Sequence, residues 1–557
     1  MASKAELEEH SAPGNSSPLT STVASSVSLP IADQKQEVAS VDDATTADVE
    51  APMFHKPPPR EFALIMIALD QIIVSTSIPA ITREYNSLGD ISWLGTANLM
   101  TATAFQPLYG KISDIFGRKT TMLFANFMFL FGSAISGWAN SMTMLIVGRG
   151  LAGIGTGGLM SLVFIILSDM LDMRERAKYL GFIGGIFSLS SVIGPLLGGA
   201  FTDHLTWRWS FWINLPIGTI SIIFISIYLN LPTPKGSLAD KTKRIDFLGS
   251  ILLLSAVILL LLPLSWGGDK YEWDSGIVIG LLVAGFVVAG IFAVVEWKLP
   301  KEPIVPLHLF KVRNVWATYG SLFFGGMAFF GILFYLPIYY QVVKGQTATI
   351  GGLETVPFVI GILITSVSSG FWVMKKGTFA FFPATGNVIF MAGCALALLF
   401  GRETQRIVNI FVLLVCGLGM GFTMQASTLA VQSAVKPRYM ATVTASVQFV
   451  RSLGQVFGIA IAGTVFKNKL EDELHKNFPN DKTIMRATQD YAFISTYPQE
   501  QKNLIYDSFS TALHYTFYCC IAFCVGAFFM SCFIQHKELG TNANQQKAKP
   551  ELVMELV

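Results

Sequence analysis

Four ionisable residues fall where a charged side chain is costly. Asp70, Arg149, Glu354 and Arg451 each lie inside an apolar run of about twenty residues, long enough to cross a membrane. An acid near the middle of such a run costs about 2.5–3.5 kcal/mol on insertion scales and is retained where it faces a cavity or a partner. Asp70 therefore predicts proton coupling or substrate binding, against the plainer reading of a permanent structural ion pair. Arg149 is its natural partner. Counting about 1.5 Å per residue along each helix leaves the two a turn or two apart, to be bridged by a long side chain or water. Glu354, about a third of the way into the tenth run, reads as a second acid that would hold a cation together with Asp70, or else as a solvated rim residue. The two acids favour a cationic cargo. Arg451, followed by Gly454 and Gly458, reads as a structural brace.

A second group is compressed into ten residues, Gly110-Lys-Ile-Ser-Asp-Ile-Phe-Gly-Arg-Lys119, between two apolar runs. Gly110 and Gly117 let the backbone turn and let helices approach closely. Asp114 is spaced to pair with Arg118, and with Lys119 beside them the stretch predicts a polar latch that forms in one conformation and breaks in another. The plainer reading is that the basic residues only fix topology. Farther on, Gly181 with Gly185, and Ser190 with Gly194 and Gly198, repeat at four-residue spacing. These make small-residue strips for tight helix packing, while Pro195 removes a backbone donor. Trp207, Arg208, Trp209 and Trp212 read as an aromatic anchor at a membrane interface.

The elements that must hold these residues follow from composition. Of 557 residues, 52% are hydrophobic and 14% charged, against about 25% charged in a soluble domain. The unbroken apolar runs leave helices as the way to satisfy the backbone in lipid. Spans are expected at 62–82, 91–110, 120–139, 143–166, 178–202, 208–230, 246–265, 276–296, 315–340, 350–373, 379–400, 407–432, 440–466 and 509–533. The fold class is thus an all-α membrane protein of about fourteen transmembrane helices, in two six-helix halves separated by a polar-poor inserted pair. The expected organisation is a disordered tail over 1–60, a bundle over 61–230, a linker with two inserted helices over 231–298, a second bundle over 299–535 with a long loop at 467–508, and a tail over 536–557. Two six-helix halves are what a rocker-type carrier needs.

Loops after even-numbered spans carry most of the Lys and Arg, including Lys111, Arg118, Arg174, Arg176, Lys375 and Lys376. Short cytoplasmic loops retain basic residues, so both termini are expected in the cytoplasm. The net charge of +2 gives no sign of a nucleic-acid partner, and the six cysteines lie in apolar runs without metal spacing. No metal, cofactor or clustered catalytic groups are expected, so the chain does not read as an enzyme. It lacks the phosphate-binding loop of an ATP-driven pump.

The Gly110–Lys119 stretch, between the second and third spans, resembles the loop signature of the major facilitator superfamily. Three more stretches join it: Leu69-Asp70-Gln-Ile-Ile-Val-Ser-Thr-Ser-Ile-Pro79, Arg149-Gly-Leu-Ala-Gly153-Ile-Gly155, and Ser191-Val-Ile-Gly194-Pro195-Leu-Leu-Gly198-Gly199. Together they resemble the fourteen-spanner drug:proton antiporters, especially fungal members, a group of multidrug and toxin exporters and vacuolar basic amino acid transporters. Ile72 stands where that family usually has Thr, Ser77 where it has Ala, and Glu354 where an apolar residue is usual. The resemblance implies the major facilitator fold. It also implies an outward-state latch at Asp114 and Arg118, an antiporter motif at Gly194, Pro195, Gly198 and Gly199, and proton-driven export of a small molecule by alternating access. The expected partners are a small-molecule substrate, protons and the lipid bilayer, with the chain a monomer in the plasma membrane. Import of basic amino acids across a vacuolar membrane is the alternative, and a transport-dead receptor or scaffold a further one.

Overall fold

The protein is described here from a computed structural model covering residues 91–537, apart from 230, 232–233, 235, 269, 300–301, 480–483, 485–493 and 495–496. Asp70, Ile73, Val74, Ser77, Ala80, Ile81, Glu84 and Tyr85 are also described, all as helical positions, and form α1. The two tails and the first-span positions Leu69, Ile72 and Pro79 lie outside the described residues.

Thirteen further long helices follow. They are α2 (Ile91–Phe116), α3 (Arg118–Gly137), α4 (Met142–Met170) and α5 (Met173–His204), then α6 (Trp209–Tyr228), α7 (Phe247–Trp266) and α8 (Gly276–Lys298). The second half contributes α9 (Arg313–Val343), α10 (Ile350–Lys376), α11 (Phe381–Leu399) and α12 (Arg406–Gln432), with α13 (Met440–Asn477) and α14 (Gln499–Ser531). Eleven of them are long and apolar enough to cross a membrane by composition. α2 and α5 span comparable lengths with more polar residues. Among the described residues the one β feature is an isolated bridge between Gly267 and Tyr271.

Local chemistry sets the breaks. Gly117 sits at φ 95°, a conformation that side-chain-bearing residues avoid, and separates α2 from α3. Ser141, Asp246 and Ser275 cap α4, α7 and α8 by accepting from backbone N–H groups one turn on. Gly377 ends α10 in the left-handed region. α5 runs through Pro195 without interruption, and the Pro195 side chain lies outside the described residues.

The expected loop over 467–508 is shorter than the sequence suggested. α13 continues to Asn477 and α14 begins at Gln499. Beyond the apolar run, Leu470 and Leu474 stay buried while Lys469 pairs with Asp472 on the exposed side, so an amphipathic stripe prolongs the helix outside lipid.

In the first half α4 lies between α2 and α3, and α3 packs on α6; in the second, α12 lies between α10 and α11, and α13 packs on α9 and α14. The inserted pair, α7 and α8, pack on each other, and α7 lies along α2 and α13. The halves meet through α2 against α13 and α5 against α10. The apolar core shows where. One cluster, including Tyr109, Phe129, Leu167, Val373, Phe379, Leu429 and Ala445, crosses both halves near the latch. At the far end each half has its own cluster, around Leu94, Trp207 and Phe211 in the first and around Tyr339, Phe400 and Phe517 in the second.

Candidate functional site

Asp70 and Arg149 are in direct contact. Arg149 Nη1 donates to Asp70 Oδ2 at 2.7 Å, with 3% and 1% of the two side chains exposed. The separation expected from helix rise is closed by the long arginine side chain alone. Asn214 Nδ2, on α6, donates to Asp70 Oδ1 at 3.0 Å, and Arg149 Nε donates to the Leu94 carbonyl of α2 at 3.1 Å. The guanidinium also lies 5.7 Å from the Phe211 ring centre. The ion pair thus ties four helices of the first half, α1, α4 and α6 through the carboxylate and α2 through the arginine. The glycines of the Arg149 motif make this fit possible: a Cβ at Gly153 would strike Thr101 and the Asn98 carbonyl of α2, and one at Gly155 would strike Phe129 of α3. Sequence reading missed Asn214, whose only signal was a lone amide in an apolar run.

Glu354 does not join Asp70. It is 5% exposed and pairs with Arg406 at the start of α12, at 2.8 Å. The shared cation site expected from these two acids is not assembled here, because each carboxylate already has an arginine.

In the latch, Arg118 bonds Asp114 at 2.5 Å, as expected, and also Asp169 of α4 at 2.7 Å. Lys119 donates to the Ser226 carbonyl of α6 at 2.7 Å. These polar contacts therefore stay inside the first half. The contact across the halves is made by Gly110, where a Cβ would stand 2.9 Å from the Ala445 Cβ and 3.2 Å from the Ala441 carbonyl of α13. Lys111 and Arg244 both pair with Glu302, at 2.8 and 3.0 Å, tying the same region to the inserted pair.

The second contact across the halves is α5 on α10. A Cβ at Gly181 would come 2.7 Å from the Ser366 carbonyl, and one at Gly185 would come 2.9 Å from Leu363. That small-residue strip is packing surface, as expected. Gly194 and Gly198 are buried, and the Gly198 carbonyl accepts from Thr202, itself 3.4 Å from Ser77 of α1. Gly199 faces open space.

Trp207 differs from the expected lipid anchor. It is 4% exposed, and its indole donates to Glu84 at 2.6 Å, while Arg208 pairs with the same carboxylate at 2.7 Å. The Arg208 hydrogen bonds hold the Glu84 carboxyl below its ordinary range against the smaller upward effect of burial. Among the described residues no cluster of His, Cys, Asp or Glu could hold a metal ion.

Two helical bundles that enclose buried charges and pack on each other through α2 with α13 and α5 with α10 have the architecture of membrane carriers. Residues 62–459 match the Major Facilitator Superfamily, and the chain belongs to it. Among curated proteins, it is 36% identical over 421 residues to the aspyridones efflux protein of Neocamarosporium betae, covering 75% of each chain. It is 38% identical over 420 residues to the rubrofusarin-specific efflux pump of Gibberella zeae, covering 74% of this chain and 76% of that one. The efflux pump dotC of Dothistroma septosporum is 33% identical over 484 residues, covering 86% of this chain and 83% of the other. A solved structure of the human organic anion transporter MFSD10 superposes with a TM-score of 0.51 at 15% identity, covering 84% of this chain and all of that one, which speaks to the fold alone.

Proposed function

We propose that the protein is a proton-coupled antiporter that carries a small organic molecule out of the cytoplasm by alternating access. The observation that carries this is the Asp70–Arg149 pair, buried and shared with Asn214 across four helices. Protonating Asp70 cancels its attraction for Arg149 and frees α1 and α4 to separate, so proton binding and helix movement become one event. The basic loops favour the latch end facing the cytoplasm. Contacts across the halves at the latch end, Gly110 on α13 and Arg176 on Gln432, support reading this arrangement as outward-facing, with Asp70 exchanging protons with the far side. The plasma membrane is the favoured location, with a monomer as the transporting unit. Efflux is preferred over vacuolar import of basic amino acids because the relatives are efflux pumps and Asp70 and Glu354 each already have an arginine.

The test is transport by the reconstituted full-length protein in sealed vesicles under an imposed pH gradient. Asp70→Asn is expected to abolish gradient-driven cargo movement while leaving cargo binding. Undiminished gradient-driven transport by Asp70→Asn would overturn the coupling role. A receptor or scaffold would show no gradient-driven movement in the wild type.

A further inference from the structure

With Asp70 held by Arg149 and Glu354 by Arg406, Arg451 is a deep cation of the second half with no ion pair among the described residues. Arg451 lies eleven residues along α13 from Met440, about 16 Å by helix rise and so near the middle of about 30 Å of hydrocarbon. Among the described residues no acid pairs with it, and its Nε is buried without a hydrogen-bond partner. The sequence of the first span, 62–82, holds no acid besides Asp70, which Arg149 already pairs. One turn before Arg451 is Gln448, 1% exposed, with neither its amide nitrogen nor its amide oxygen partnered. Two adjacent hydrogen-bonding side chains left unsatisfied together do not brace a helix, because a brace needs something to hold.

The other faces of α13 are accounted for. Ala441 and Ala445 lie against Gly110 of α2. Val447 and Gly454 lie against α9, where a Cβ at Gly454 would strike the Phe323 carbonyl. Phe449, Leu453 and Phe457 pack with the α7 cluster. Beside the α9 contact, where a Cβ at Gly326 would stand 2.7 Å from the Arg451 carbonyl, a further face carries the side chains of Thr444, Gln448, Arg451 and Gln455 at helical spacing. It begins where Thr444 accepts from Gln432 of α12 at 3.0 Å, and so looks towards the junction of the two halves.

We propose that this face of α13 is the cargo subsite and that it binds an oxyanion, a carboxylate or an ionised acidic hydroxyl on an organic frame. The guanidinium supplies forked, charge-assisted donors to the oxyanion, and the Gln448 amide, donor and acceptor at once, takes a neighbouring polar group. This reverses the cationic preference suggested by the two acids alone, and it deepens the efflux reading on which it rests.

The test uses the full-length protein in acid-inside liposomes and two probes on one xanthene frame, anionic carboxyfluorescein and cationic rhodamine 123. The wild type is expected to accumulate carboxyfluorescein in preference to rhodamine 123. Arg451→Gln and Gln448→Leu should each lower carboxyfluorescein transport about tenfold and leave rhodamine 123 unchanged, and Arg451→Lys should restore part of it. A wild-type preference for the cation, no movement of carboxyfluorescein, or an unchanged anion-to-cation ratio in a folded Arg451→Gln protein would each overturn the subsite. A protonophore separates the two readings. If anion movement survives gradient collapse but still needs Arg451, the subsite stands and proton coupling fails.

Discussion

Arg176 Nη1, at the start of α5, donates to Gln432 Oε1, at the end of α12, across the boundary between the two halves at 3.0 Å. The same guanidinium binds the Ser168 and Leu171 carbonyls at 2.5 and 3.0 Å, and Gln432 passes the connection on to Thr444 of α13 at 3.0 Å. Arg176 is 5% exposed, so these bonds are made out of water. The clasp that closes the latch end is therefore this chain, together with the glycine contact at Gly110. The Asp114–Arg118–Asp169 triad holds α2, α3 and α4 in register beside it.

Breaking that clasp should shift the conformational balance. A hydrogen bond from a charged group is worth about 1.5–3 kcal/mol net, so Arg176→Gln is expected to raise the population open at the latch end by about tenfold or more. Alkylation of a cysteine placed at Leu429, buried at this junction, should then accelerate by a similar factor. An unchanged labelling rate would show that apolar packing alone keeps this end shut.

The Asp70–Arg149 pair should be costly to break from one side and cheap to remove whole. Asp70→Asn or Arg149→Gln alone leaves a buried polar network short of one charge, at about 3–5 kcal/mol for an uncompensated ion. The double variant removes both charges and should recover a good part of that loss. Thermal unfolding in detergent measures the three proteins side by side, and simple additivity of the two single losses would deny the coupling.

How far the sequence could be read is clearest at these residues. Apolar run length gives the spans, because lipid sets helix length and water sets the breaks; thus Gly117, Gly377 and the capped starts of α4, α7 and α8 all fall where turns were expected. The Asp70–Arg149 partnership was also legible, since two opposite charges buried in lipid have few other choices. Arg176 was not. In the sequence it is one of several loop basics, and its burial depends on α12, which lies 256 positions away. Glu354 misled for the same reason, as its neighbour Arg406 sits at the start of another helix. Charge type is local information, whereas partnership is set by tertiary packing.

Glu84 offers a pH prediction. Its carboxyl is held below the usual 4.5 first by hydrogen bonds from Arg208, then against burial by Trp207 and the Arg208 charge. A depressed folded-state value means the contribution is fully present above the unfolded value and is lost as pH falls through the folded one. Acidification below about pH 4.5 should therefore lower the melting temperature of the wild type more than that of Glu84→Gln. Parallel pH profiles for the two proteins would show that the carboxylate is not held by these partners.

The inserted pair brings two carboxyl groups together with one oxygen of each unpartnered. Glu296 Oε1 accepts from the Val305 amide at 2.7 Å and Asp246 Oδ1 from the Gly249 amide at 2.8 Å, while the second oxygen of each carboxyl is buried with no hydrogen-bond partner. Both orphan oxygens border one point, since a Cβ at Gly249 would strike Asp246 Oδ2 and lie 3.1 Å from Glu296 Oε2. Among the described residues neither oxygen has a cationic partner, so a hydrogen-bond donor placed between the two carboxyls would satisfy both. Glu296→Gln supplies an N–H donor to the Asp246 carboxyl and keeps the Val305 contact through its amide oxygen. It should leave thermal stability unchanged or raise it by about 1 kcal/mol, whereas Glu296→Leu, which strips the Val305 amide of its acceptor, should lower it by about 1–3 kcal/mol. Equal losses from the two variants would mean that the charge on Glu296, and not its hydrogen-bonding capacity, holds α7 to α8.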